Sequence, residues 1–111
     1  MLIDIAWWDL DGSGQTIDSL RPHLQDAAPA WADVPGLCLK CWMADRERNT
    51  WGAVMLWEAG RPARAALPPN RAAELIGVPP GHRLLFTAEA VVPGRAGLPA
   101  GPGPGGAGVV A

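Results

Sequence analysis

Four short apolar runs, separated by two stretches of helical spacing, leave this chain few ways to fold. Residues 2–8 are apolar and branched apart from Asp4, and they end at Asp9-Leu-Asp-Gly-Ser-Gly, a loop signal. Ile17, Leu20, Leu24, Ala27 and Trp31 then recur at three- and four-residue spacings, the stripe of an amphipathic helix. Ser13 or Ser19 is placed to cap that helix, and Pro22 either sits in its first turn or kinks a longer one. After a Val34-Pro-Gly turn, residues 37–44 read as a strand, 45–49 as a polar hairpin loop and 50–58 as the returning strand. Residues 61–77 have helical character in two pieces, divided by Pro68-Pro69 and stopped by Gly77. Residues 82–92 supply a fourth strand. The order β-α-β-β-α-β predicts an α+β, ferredoxin-like fold: an antiparallel sheet with helices on one face. Its other face is left bare and apolar, which predicts pairing with a second copy of the chain.

Composition divides the chain near Val92. Residues 1–92 carry the elements, whereas 93–111 are mostly Gly and Pro with one charge, Arg95, and read as a flexible tail. With 111 residues the chain is long enough for one domain and too short for two. A net charge of −2 argues against a dedicated nucleic-acid binder. No apolar run approaches the roughly 18–20 residues needed to cross a bilayer, and the N-terminus lacks a basic region and cleavage site, so a cytoplasmic protein is expected. The aromatic residues are unusual: six Trp, one Phe and no Tyr. Phenolic acid–base chemistry is therefore excluded. Lys40 is the only Lys, and His23 and His82 are the only His, so the list of possible catalysts is short.

Common motifs are absent or misplaced. Cys38-Leu-Lys-Cys41 matches C-x-x-C, but residues i and i+3 of a strand point to opposite faces and cannot share a metal or close a disulfide. Two distant His without acidic neighbours give no metal site, and Gly12-Ser-Gly14 is too short for a phosphate loop. Arg46, Arg48, Arg61 and Arg64 read as solvated surface charges. Glu58 and Glu89 read as solvated strand ends.

The stretch VPGLCLKCWMADRERNTWGAVMLWE, from Val34 to Glu58, combines a Pro-Gly turn, a strand carrying Lys and Trp two residues apart, a polar loop and a Trp-rich strand. With LPPNRAAELIGVPPGHR, from Leu67 to Arg83, it resembles the monooxygenase-like family of dimeric α/β-barrel proteins, relatives of the antibiotic-biosynthesis monooxygenases. The resemblance covers about residues 2–92. It implies a homodimer with two sheets packed face to face and a pocket in each protomer between sheet and helices. It also implies chemistry without a cofactor on a hydrophobic aromatic or polyketide-type molecule. Some relatives oxygenate polycyclic phenols without flavin, haem or metal, while others cyclise polyketides.

Alternation assigns side chains to faces. Ile3, Ile5 and Trp7 share one face of the first strand, and Asp4, Ala6 and Trp8 the other. In the second, Leu37, Leu39, Cys41 and Met43 oppose Cys38, Lys40 and Trp42. Assigning the mixed faces to the pocket brings Asp4 and Lys40 to one cavity flanked by Trp8 and Trp42. Either the two charges form a structural ion pair on neighbouring strands, or they anchor a substrate phenol or carbonyl, with Asp4 as a possible base. His23 lies near the apolar stripe of the first helix and is the alternative base, with Lys40 steadying an oxyanion. His82, at the start of the last strand, is a boundary residue within reach of a substrate. The third strand is ambiguous: Trp51, Ala53, Met55 and Trp57 extend an aromatic wall if they face the pocket, whereas the opposite face adds Glu58 at its rim. The expected catalytic set is His23, Asp4 and Lys40, and the expected substrate-binding set is Trp8, Trp42, Trp57 and His82. The expected activity is cofactor-independent oxygenation, with cyclisation or isomerisation on the same groups, or non-catalytic binding of a hydrophobic metabolite, as alternatives.

Overall fold

The computed structural model describes residues 1–62 and 66–98. Its elements run β1 (Leu2–Asp9), α1 (Ile17–Leu20), a 3-10 turn (Arg21–His23), α2 (Leu24–Ala30), β2 (Leu37–Asp45), β3 (Thr50–Trp57), α3 (Arg71–Ile76) and β4 (His82–Thr87). The four strands form one antiparallel sheet in the order β2-β3-β1-β4. That order is compatible with the ferredoxin-like arrangement.

The helical stripe breaks for local reasons. Thr16, rather than Ser13 or Ser19, caps α1: its hydroxyl accepts from the Ser19 N–H at 3.0 Å, while its own N–H donates to the Ser19 hydroxyl at 2.8 Å. This is a capping box with Ser in the place usually held by Glu. Helix α1 starts at Ile17, so Pro22 lies past the first turn, where its missing N–H interrupts the ladder and converts one turn to 3-10. Of the second helical stretch, its C-terminal piece is α3, capped by the Asn70 side chain and closed by Gly77 at φ 92°. Its N-terminal piece falls partly on residues 63–65, outside the described residues.

Strand β4 ends at Thr87, short of the expected Val92. Ala88 donates to the Met1 carbonyl, and beyond that residues 89–92 are exposed and make no ladder, because β1 pairs only from Leu2 onward. The expected tail is exposed over 93–98, and its remainder, 99–111, lies outside the described residues.

Two hydrophobic clusters fill the space between sheet and helices. One gathers Trp8, Leu10, Ile17, Leu20, Leu24 and Trp51; the other gathers Trp31, Val34, Met55 and Trp57. On the opposite face, Ile3 lines up with Leu56 and Phe86, and Ile5 with Val54 and Leu84. These side chains are half-buried or exposed, so an apolar sheet face lies open to solvent.

One residue in β2 departs from strict alternation. A bulge between Leu37 and Leu39 lets Leu37 pair with Trp57 and leaves Cys38 unpaired. Leu37 is thereby moved off the face expected for it and packs against the Trp31–Trp57 cluster. Cys38 is exposed instead of facing the helices, and both Cys are free.

Candidate functional site

Register places the site residues. On the helix side of the sheet, Asp4 lies opposite Met55, which lies opposite Lys40; Ala6 lies opposite Ala53, which lies opposite Trp42; and Trp8 lies opposite Trp51. The third strand therefore turns Trp51, Ala53, Met55 and Trp57 toward the helices, while Glu58 is exposed beyond its end. Between this surface, α3 and the loops around it lies a cavity of about 460 Å³, within the roughly 300–1,000 Å³ typical of small-molecule sites. Trp8, Trp31, Trp42 and Trp51 supply most of its aromatic wall, and Lys40, Arg61 and Arg83 its cationic points, with Glu74 at the α3 side. A narrow crevice continues from the same Lys40–Trp42 wall toward the first helical segment, where His23 lines it.

Asp4 and Lys40 do not pair. The strand order puts β3 between them, so they are two strands apart, about 10 Å across the sheet. Asp4 is wholly buried and meets two guanidinium groups instead: Oδ1 accepts from Arg83 at 2.5 Å, and Arg61 Nε lies 3.6 Å from Oδ2. Arg83 is available because it lies opposite Ala6, diagonal to Asp4 on the adjoining strand. Asp4 is thus sealed behind the cavity wall, balancing two arginines that line it. Arg61, expected on a solvated surface, is held by this buried carboxylate. Arg46 and Arg48 do lie at the surface, paired with Asp18 and Asp45, and Arg64 lies outside the described residues.

Lys40 occupies an aromatic box. Its Nζ stands 3.2 Å from the centroid of the Trp31 ring and 4.8 Å from that of Trp42. Among the described residues, no carboxylate comes within ion-pair distance of it. Burial pushes its amine down to about 7; Asp4 opposes that shift and Arg61 adds to it. An amine in this state exchanges protons near neutrality, which an ordinary Lys does not.

The remaining expected residues separate. Trp8 and Trp42 line the cavity, and the Trp8 indole N–H donates to the Val78 carbonyl at 2.9 Å, fixing the ring. Trp57 is 0% exposed, packs beneath the site and does not line the cavity; among the described residues its indole N–H has no acceptor. His82 is on the open face of the sheet, stacked on Trp7 at 5.0 Å and 2.9 Å from Asp9. Trp51 joins the wall, one of the two outcomes left open for the third strand, and Trp31, Arg61 and Arg83 complete the site without having been expected there. The pairing of β4 with β1 carries a signal for Arg83; nothing local marks Arg61, which follows β3 in a loop. Among the described residues, no three His, Cys, Asp or Glu side chains gather as a metal site would require, and no helix is long and apolar enough to cross a membrane. No family model matches the sequence, and no curated protein matches it.

Proposed function

We propose that this protein is a small-molecule enzyme that oxygenates a flat, hydrophobic phenol or polyketide-type enol without a resident cofactor. The observation that carries this reading is the cavity: four indoles form its walls, and an amine poised near neutrality stands among them. Flat apolar walls with few polar points suit an aromatic ligand. The neutral Lys40 amine accepts the phenolic proton, and the ammonium it becomes, helped by Arg61 and Arg83, stabilises the phenolate. The resulting carbanion reduces O₂ itself and captures it as a hydroperoxide. Loss of water then leaves a carbonyl, so that one CH₂ and one O₂ yield one C=O and one H₂O. His23 is left as a secondary proton relay along the crevice, and Asp4 as the charge that holds the two arginines. The open apolar face of the sheet supports a homodimer, closed face to face as a barrel, in which each protomer keeps its own cavity.

The test is oxygen consumption with a polycyclic phenol and no added cofactor. The expected result is uptake matching quinone formed, with Lys40→Met lowering the rate at least about 100-fold. Conversion at full rate without O₂ would replace oxygenation by cyclisation or isomerisation. Quenching of Trp fluorescence by a phenol recovered unchanged would make the protein a binding module.

A further inference from the structure

Lys40 is the only lysine of the chain, and among the described residues it makes no salt bridge. Its amine is set against two indole faces on the wall of a cavity large enough for a small molecule. An ammonium ion in that place gains attraction from the rings, but among the described residues no carboxylate lies within ion-pair distance to compensate its lost hydration. The free amine needs no such compensation and keeps a lone pair for attack. We propose that Lys40 is a nucleophilic amine that condenses with the carbonyl carbon of an aromatic aldehyde or ketone bound in the cavity, forming an imine. This inference uses the same cavity as the oxygenation reading but requires no oxygen chemistry, so either can fail alone.

The step balances without a co-reactant. The nitrogen lone pair attacks the carbonyl carbon, and the C=O π pair moves to oxygen. Two protons pass from nitrogen to that oxygen, the C–O bond breaks, and water departs as the C=N bond forms. Burial is what favours the free amine; among the charged groups around it, Asp4 favours the ammonium and Arg61 opposes that. Arg61, Arg71 and Arg83 are cationic, His23 faces the crevice, and Glu74 and the buried Asp4 oppose them, with Asp4 already engaged by Arg61 and Arg83. With burial pushing the amine down to about 7, roughly half of it is free at pH 7, against roughly one part in three thousand for an unperturbed lysine. The indole walls meanwhile stack the aromatic part of the carbonyl compound, which raises its local concentration.

Reductive trapping tests the proposal on the full chain. The native protein is incubated at pH 7, without oxygen, with 2-naphthaldehyde and sodium cyanoborohydride, which reduces an imine to a stable amine but leaves reversible thiol adducts untrapped. Intact mass and peptide mapping then locate the naphthylmethyl group. The Met1 amine serves as an internal reference, and the same protein unfolded in urea as the comparison. The expected result is a single adduct on Lys40, formed at least ten-fold faster than in the unfolded chain once both are normalised to Met1. Labelling confined to Met1, or labelling of Lys40 no faster in the folded protein, overturns the proposal. Because neither arm involves a phenol or O₂, a positive result stands even if oxygen uptake is never seen.

Discussion

Lys40 carries a consequence for stability as well as for chemistry. A lysine with an ordinary unfolded-state value near 10.5 and a folded-state value of about 7 binds its proton more tightly when the chain is unfolded. Below pH 7 both states are protonated, and the folded state bears the whole cost of holding a cation that burial has stripped of water. Between pH 7 and about 10.5 the folded state sheds that proton while the unfolded state keeps it, so stability rises with pH across this window. The chain has no Tyr to titrate within this window. Urea unfolding at intervals from pH 6.5 to 10 is expected to show a higher midpoint at the alkaline end for the native sequence. In Lys40→Met that slope should vanish, and an unchanged slope in the variant would mean that the amine titrates as an ordinary lysine. The position also shows how far one residue is legible in a sequence. Alternation places Lys40 on the pocket side beside Trp42, and the structure agrees, but Trp31 is brought there by the end of α2, which no local pattern in β2 encodes.

At the scale of elements, strand periodicity is read well where pairing is regular and poorly where one residue is inserted. β1 alternates throughout, so Asp4, Ala6 and Trp8 are buried as their parity requires, and β3 follows it in register from Leu2–Trp57 to Asp9–Thr50. The β2 bulge is invisible in Leu37-Cys-Leu, because three small or apolar residues give no sign of which one is extra. The Asp4–Lys40 pair fails for a different reason. It assumes neighbouring strands, whereas the split order inserts β3 between β1 and β2 and hands Asp4 to Arg83 on β4. The close seam between β1 and β3 has its own requirement. At Gly52, opposite Trp7, a Cβ would come 2.3 Å from the Ala6 carbonyl oxygen and 2.6 Å from the Trp7 Cβ. The nearest of these is main chain, so neither a rotamer change nor a small shift relieves the clash. Gly52→Ala is expected to cost at least about 2 kcal/mol, measured by urea denaturation. An Ala there within a few tenths of a kcal/mol of the native protein would mean that the β1–β3 seam is looser than drawn. Because Ala6 and Ala53 line the cavity on the other side of this seam, the variant should also weaken binding of an aromatic ligand.

For the whole molecule, the question is what covers the second face of the sheet. The helix side encloses every buried Trp, yet Ile3, Leu56 and Phe86 form one cross-strand row on the other side and Ile5, Val54 and Leu84 the next. Phe86 is 51% exposed and Leu84 46% exposed, on an edge strand whose outer ladder is also open. Leaving such a surface in water forfeits about 25 cal/mol for each Å² of apolar area that a partner sheet would remove. A second copy offers a self-complementary match, since the same rows would face each other across a two-fold axis. Sedimentation at micromolar concentration is expected to give a dimer, and Phe86→Glu a monomer with an unchanged far-ultraviolet dichroism spectrum. The cavity lies on the opposite face, so the two properties should separate: the monomeric variant should retain the Trp fluorescence response to an aromatic ligand. A native chain that sediments as a monomer would leave the apolar rows without an occupant and remove the barrel. A Phe86→Glu monomer that loses the fluorescence response would instead place part of the ligand's support in the partner, making closure of the barrel a condition for binding rather than only a cover for the sheet.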